Sequence, residues 1–152
     1  MHSHLTRTLG LAFSPDGKRL VVCGWPRSAI VWDVETGREK FELRGHLSPA
    51  DSPAFSPDGK RIVTTGWDRC AKLWDADTGR ELLSLNDTGD LLSGVAFSQD
   101  GQRIVTGNWA RTARVWEAAR EDQVMAWEAE ERAAEQSQDR WRKELADLLQ
   151  AR

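Results

Sequence analysis

Hydrophobic residues in the first 117 positions come in short runs, each closed by a polar or turn-forming block. Leu9-Gly10-Leu11-Ala12-Phe13 leads into Ser14-Pro15-Asp16-Gly17, then Arg19-Leu20-Val21-Val22, then Ala29 to Trp32. β-Branched and aromatic residues at this density read as short strands, and Pro, Asp and Gly together read as a tight turn. After Thr36-Gly37, Phe41 and Leu43 alternate with other side chains, as do Leu83 and Leu85 after Thr78-Gly79. That alternation predicts a fourth, half-buried strand. Phe13, Phe55 and Phe97 recur at a step of 42 residues, and Trp32-Asp33, Trp74-Asp75 and Trp116-Glu117 keep the same step. A fixed period of this length predicts units of four antiparallel strands that bury their faces only against their neighbours. Pro53 cannot donate to a ladder, so its strand is expected to have a free edge.

The pattern changes after Trp116. Residues 118–152 contain neither Gly nor Pro and are rich in Ala, Glu, Arg, Gln and Leu, which predicts one amphipathic helix from about 120 to 150. Trp127, Ala134, Trp141 and Leu148 fall every seven residues, with Val124 and Leu145 on the adjoining column. Glu131 and Gln138 share that second column, which argues against a strong coiled coil. Trp127, Trp141, Leu145 and Leu148 are the candidate contact residues, toward either the last unit or another chain. A second reading places a degenerate strand at 122–127, because Met125 and Trp127 align with Leu83 and Leu85. The expected division is therefore 1–117 (units of about 4–43, 44–85 and 86–117, the last without its outer strand) and 118–152.

Charge narrows the function classes. The chain carries 21 basic and 24 acidic residues, and its first 117 residues hold 15 of each. No basic field marks a nucleic acid as partner. No run approaches the ~18 apolar residues of a membrane span, and no signal-peptide pattern follows Met1. A soluble, cytoplasmic protein is expected. Cys23 and Cys70 stand in different columns of the repeat without metal-ligand spacing, so they read as reduced structural thiols.

Four strands per unit, a 42-residue period and a terminal Trp-Asp resemble the WD-repeat β-propeller family. The resemblance covers residues 4 to about 117. It implies an all-β repeat fold: a partial, open, three-blade propeller of four-stranded antiparallel blades, followed here by the C-terminal amphipathic α-helix. The family has a hydrogen-bonded tetrad of His, Ser or Thr, Asp and Trp. Its columns fall on His46, Thr64, Asp68 and Trp74 in the middle repeat. The first repeat keeps His4 and Trp32 but has Val22 and Pro26 in the other two columns; the third keeps Thr106 and Trp116 but has Thr88 and Ala110. The resemblance thus implies a full network in the central blade alone, with softer blades beside it. The charged tail is similar to the C-terminal parts of large bacterial WD-repeat proteins, some of them fused to Ser/Thr protein kinases.

Propellers close with roughly four to eight blades, so three repeats leave the ring open. Two open faces, on the order of several hundred Å² each, are expected to seek a cover. Two chains joining as a homo-oligomer, the helix folding back, or truncation from a longer chain would each account for them.

Chemistry is sparsely represented. His46 has its tetrad place, His4 the same place with fewer partners, and His2 stands at the terminus. Asp16, Asp58 and Asp100 sit in turn columns, and zinc spacing, phosphate loop, nucleophile elbow and kinase signatures are absent from the sequence. No enzyme activity, metal or cofactor is expected. Trp25, Trp67 and Trp109 recur at the 42-residue step, each followed two residues later by Arg27, Arg69 or Arg111. In the family these columns lie in the turn between the second and third strands, near the rim. Trp and Arg dominate interface hot spots; equally, each Trp would serve to pack on a neighbouring blade. Both readings stand at this level. The function expected is a non-catalytic protein–protein interaction scaffold. The alternative is a regulatory or targeting segment of a larger bacterial signalling protein such as a WD-repeat kinase.

Overall fold

The computed structural model describes residues 5–86 and 89–117, and every regular element among them is a strand. Blade 1 consists of β1 (Arg7–Phe13), β2 (Arg19–Trp25), β3 (Ala29–Asp33) and β4 (Glu39–Leu43). Blade 2 consists of β5 (Ala50–Phe55), β6 (Arg61–Gly66), β7 (Cys70–Asp75) and β8 (Glu81–Asn86). Blade 3 has β9 (Leu92–Phe97), β10 (Arg103–Asn108) and β11 (Ala113–Glu117). Each blade is an antiparallel meander in which sequence neighbours pair, in the order β1-β2-β3-β4, β5-β6-β7-β8 and β9-β10-β11. Short turns permit this, because antiparallel neighbours need no crossover. The expected helix at 118–152 with Trp127, Trp141, Leu145 and Leu148, the alternative strand at 122–127, and His2, His4 and Thr88 lie outside the described residues.

The Phe-Ser-x-Asp-Gly blocks fold identically three times. Ser14 Oγ donates to Asp16 Oδ1 at 2.6 Å and accepts from the Arg19 N–H at 2.9 Å. Ser56 with Asp58 and Ser98 with Asp100 repeat the arrangement. Gly17, Gly59 and Gly101 hold φ near 70°, the left-handed conformation that favours glycine. The Trp-Asp aspartates close the next turn: Asp33 Oδ1 accepts from Thr36 N–H at 2.8 Å, and Asp75 does the same for Thr78.

The blades meet through their first strands, β1 against β5 and β5 against β9. Between blades 1 and 2 lie Val21, Cys23, Val31 and Leu43 on one side and Ile62, Trp74 and Ala76 on the other. Between blades 2 and 3, Val63 and Ala71 face Leu92 and Ile104, with Leu73, Phe97 and Trp116 packed around them. Blade 2 alone is sandwiched. Strand alternation then assigns the outward faces. Val105 and Val115, the repeat equivalents of Val63 and Leu73, are exposed on blade 3. On blade 1, Leu11 and Phe13 are exposed and Val34 marginally so, whereas Ile30 and Trp32 are buried. Pro53 lies on β5, an edge strand of its sheet, where its missing N–H leaves no ladder bond unmade. One expectation holds only in part: on the half-buried fourth strand β8, Leu85 packs on the core, but Leu83 is 51% exposed. Its repeat equivalent Phe41, on the outer strand of blade 1, is half-buried against Gly79 of blade 2, whereas the column that answers Gly79 beside Leu83 lies outside the described residues.

Candidate functional site

The middle blade brings His46, Thr64, Asp68 and Trp74 into one hydrogen-bonded chain. Trp74 Nε1–H donates to Thr64 Oγ1 at 2.8 Å, Thr64 Oγ1 lies 2.8 Å from His46 Nε2, and His46 Nδ1 lies 2.9 Å from Asp68 Oδ2. With the proton on Nδ1, every link has one donor and one acceptor, running from the buried indole outward to the carboxylate. Asp68 also accepts from the Leu47 N–H at 2.8 Å and the Cys70 N–H at 3.2 Å. The β6 strand supplies Thr64, the β6–β7 turn Asp68, β7 Trp74, and the link from blade 1 His46. The chain therefore ties an interblade segment to three points of one blade. Gly66 makes room for it: a Cβ there would fall 2.5 Å from His46 Nδ1 and 2.6 Å from Asp68 Oδ1.

Among the described residues, blade 3 keeps only the inner link, Trp116 Nε1–H to Thr106 Oγ1 at 3.0 Å. With Ala110 in the Asp column, Asn108 caps the turn instead, its Oδ1 accepting from the Thr112 N–H at 3.1 Å. Asn108 occupies the column of Gly66, where no His–Asp pair of this blade competes for the space. Its capping chemistry was available in the sequence as an Asn four residues before a Thr.

Burial works against ionisation of Asp68, but the hydrogen bond and charge of His46 and the two backbone N–H groups hold its carboxyl below the usual range. A carboxyl depressed on folding contributes stability above its unfolded pKa of about 3.9 and loses it as pH falls through the folded value. Asp68→Asn is therefore expected to flatten the fall of unfolding free energy below about pH 4, measured by denaturant titration across that range. Some slope remains, since Asp16, Asp33, Asp58, Asp75 and Asp100 are depressed by their turn hydrogen bonds in the same sense. Cys23 is buried, which pushes its thiol far above the ordinary range, and Cys70 is raised more modestly. Both are free and inert by this measure.

The second constellation is the set of Trp-x-Arg turns, all on one edge of the blades. Trp25 and Trp67 meet edge-on across the junction of blades 1 and 2, with centroids 5.8 Å apart at 90°. Trp67 Nε1–H also donates to Asp51 Oδ2 at 3.2 Å. Trp109 has no such ring contact among the described residues and is 65% exposed, against 38% for Trp25. Arg27, Arg69 and Arg111 are exposed. Arg69 and Arg111 close four-residue turns, their N–H groups donating to the Gly66 and Asn108 carbonyls, and hold φ of 65° and 63°. That conformation costs an L-residue on the order of 1 kcal/mol. The first turn differs, with a cis Trp25–Pro26 bond and no left-handed Arg27. A cleft of about 140 Å³ opens beside it, lined by Pro26, Arg27, Ser28, Glu42 and His46 among others. It is smaller than the roughly 300 Å³ at which small-molecule sites begin. No cluster of metal-ligating residues occurs among the described residues.

A third set went unremarked in the sequence. Arg19 of β2 reaches across to blade 2, where Nη2–H donates to the Gly59 carbonyl and Nη1–H to the Ala76 carbonyl, both at 2.7 Å. It also pairs with Asp77 at 3.0 Å and lies over the Phe55 ring at 5.4 Å. Arg61 repeats the reach into blade 3, donating to the Gly101 carbonyl at 3.0 Å and lying over Phe97 at 5.5 Å. Arg103, third in the column, meets only its own turn among the described residues, 3.9 Å from Asp100.

Comparison with known proteins agrees with this architecture. The model of the family described as "WD domain, G-beta repeat" matches residues 1–33, 37–75 and 79–117. No curated protein matches the chain. A solved structure titled "Structure of U3-55K" is similar at 24% identity and a TM-score of 0.73. The match covers 77% of this chain and 38% of that one, so the chain spans well under half the length of that structure, and at this identity the likeness shows the fold. With matched repeats over most of its length and three meander sheets stacked at the matching step, the chain belongs to the WD domain, G-beta repeat family.

Proposed function

We propose that this chain is a non-catalytic protein–protein interaction scaffold whose contact surface is the edge carrying the Trp-x-Arg turns. WD repeats serve in general as protein-interaction scaffolds, and this reading adds the place. The observation that carries it is the combination at Trp109 and Arg111: a large aromatic left in solvent beside an arginine held in a left-handed turn. An arginine serving only the turn would be improved by glycine, which adopts the same φ without steric cost. Retaining the guanidinium at Arg69 and Arg111 against that preference supports a use for it outside the fold, and Trp with Arg is the pairing enriched at interface hot spots. Trp25 and Trp67 support the same edge as an interblade pair that stiffens it.

The test separates binding from folding by the sign of its stability effect. Arg69→Gly with Arg111→Gly is expected to raise unfolding free energy by roughly 0.5–1 kcal/mol per site in denaturant titration. The same variant is expected to lose a protein captured by the wild-type chain from host-cell extract and identified by mass spectrometry. A variant that gains stability and keeps every captured protein would remove the arginines from the binding surface. One that loses stability would return them to a structural role.

A further inference from the structure

The bridging arginines define a polarity that runs along the blades and stops at each end. Each interblade junction has a donor side, an Arg at the start of the second strand, and a receiver side. The receiver in blade 2 is the Phe55 ring, the Gly59 carbonyl, the Ala76 carbonyl and the Asp77 carboxylate. Stepping back 42 residues, blade 1 carries Phe13, Gly17, Val34 and Glu35 in those places. Their local geometry is the same: the Val34 and Ala76 N–H groups both donate at 2.9 Å to the lysine carbonyl of their own turn. Among the described residues no guanidinium occupies this receiver, and Phe13 is 58% exposed, whereas Phe55 is only partly so. At the other end, the Arg103 side chain is 53% exposed against 16% for Arg19. Among the described residues, one chain thus presents an unused donor on blade 3 and an unused receiver on blade 1.

We propose that these two ends bind each other between copies. Blade 3 of one chain docks on blade 1 of a second, with Arg103 over Phe13 and its N–H groups on the Gly17 and Val34 carbonyls beside the Glu35 carboxylate. Val105 and Val115 are exposed on the donor face and Leu11 on the receiver face, which supplies apolar surface around the bridge. The contact continues a junction that the chain already builds twice within itself. Because donor and receiver differ, the contact is heterologous, and such contacts close into rings when the rotation permits. Two arcs of three blades give six, within the roughly four to eight of closed propellers, and three arcs would exceed it. A dimer is the expected assembly. It rests on different residues from the proposed partner edge, although Trp109 and Trp25 border the docking faces as Trp25 and Trp67 border the junction of blades 1 and 2.

Sedimentation of the full chain tests this directly. The wild type is expected at twice 17.1 kDa, about 34 kDa. Arg103→Glu disables the donor, and Phe13→Ala with Glu35→Lys disables the receiver; both sets touch exposed side chains, and circular dichroism checks that each variant is folded. Each variant alone is expected to sediment as a monomer, with self-association weakened by roughly thirtyfold or more, the scale of a hot-spot loss. Mixed together they are expected to form a one-to-one dimer, weaker than that of the wild type, because the mixture restores one of the ring's two junctions. A monomeric wild type would overturn the proposal and assign the two faces to residues 118–152 or to a different chain. So would a dimer indifferent to both variants, or a mixture that stays monomeric.

Discussion

Replacing Thr64 by Val lowers unfolding free energy by about 3 kcal/mol, although the two side chains have nearly the same shape. Thr64 is fully buried, and its hydroxyl carries the hydrogen bonds that join the Trp74 indole to the His46 ring. Valine removes both bonds and leaves the indole N–H and His46 Nε2 without partners in a place water does not reach. An unsatisfied buried group costs roughly 1–3 kcal/mol, far more than the packing difference between the two residues. The same substitution at Thr106 breaks one bond, to a Trp116 that is only partly buried, and is expected to cost about 1 kcal/mol. Blade 1 already carries valine at this column, as Val22. Chemical denaturation of the two variants with unchanged slope would give the ratio, and equal costs would show that the His46–Asp68 arm adds nothing to the inner bond.

The blade architecture was legible because it is written in a period. Strand positions follow from the recurrence of Phe13, Phe55 and Phe97, and turn chemistry from Pro, Asp and Gly standing together. The side chains that meet across space were legible only where a column of the family named them, as with His46 and Asp68, which lie 22 residues apart. Arg19 shows the limit. Its partners Gly59 and Ala76 are backbone carbonyls 40 and 57 residues away, and a carbonyl leaves no signature in a sequence. Ser14, Ser56 and Ser98 were visible as a column, but their double role inside the turn depends on hydroxyl direction. Leu83 failed for another reason: alternation reports which face of a strand is apolar, not whether a neighbouring blade covers it. The left-handed φ of Arg69 and Arg111 was hidden as well, since arginine gives no hint of the conformation that glycine would have announced.

The arginine column permits a graded prediction, because its three members perform the same reach with three different degrees of success. Arg19→Met keeps an unbranched, apolar side chain over Phe55 and deletes the guanidinium, and it is expected to cost about 2–3 kcal/mol. Most of that comes from the two short charge-assisted bonds to the Gly59 and Ala76 carbonyls, which are partly buried and lose their donors. The ion pair with Asp77 contributes little, since that carboxylate is 78% exposed and solvent screens it. Arg61→Met removes one carbonyl bond among the described residues, to Gly101, and is expected to cost about 1 kcal/mol. Arg103→Met is expected to leave the stability of the isolated chain within about 0.5 kcal/mol, as exposed substitutions do. Unfolding monitored at a concentration where the chain is monomeric gives this order, largest for Arg19 and smallest for Arg103. A flat series would mean that the carbonyls are served by water and that blades adhere through apolar packing alone. A graded one would mean that each junction is latched by its arginine, and that the latch at Arg103 is built but not engaged within the described residues of one chain.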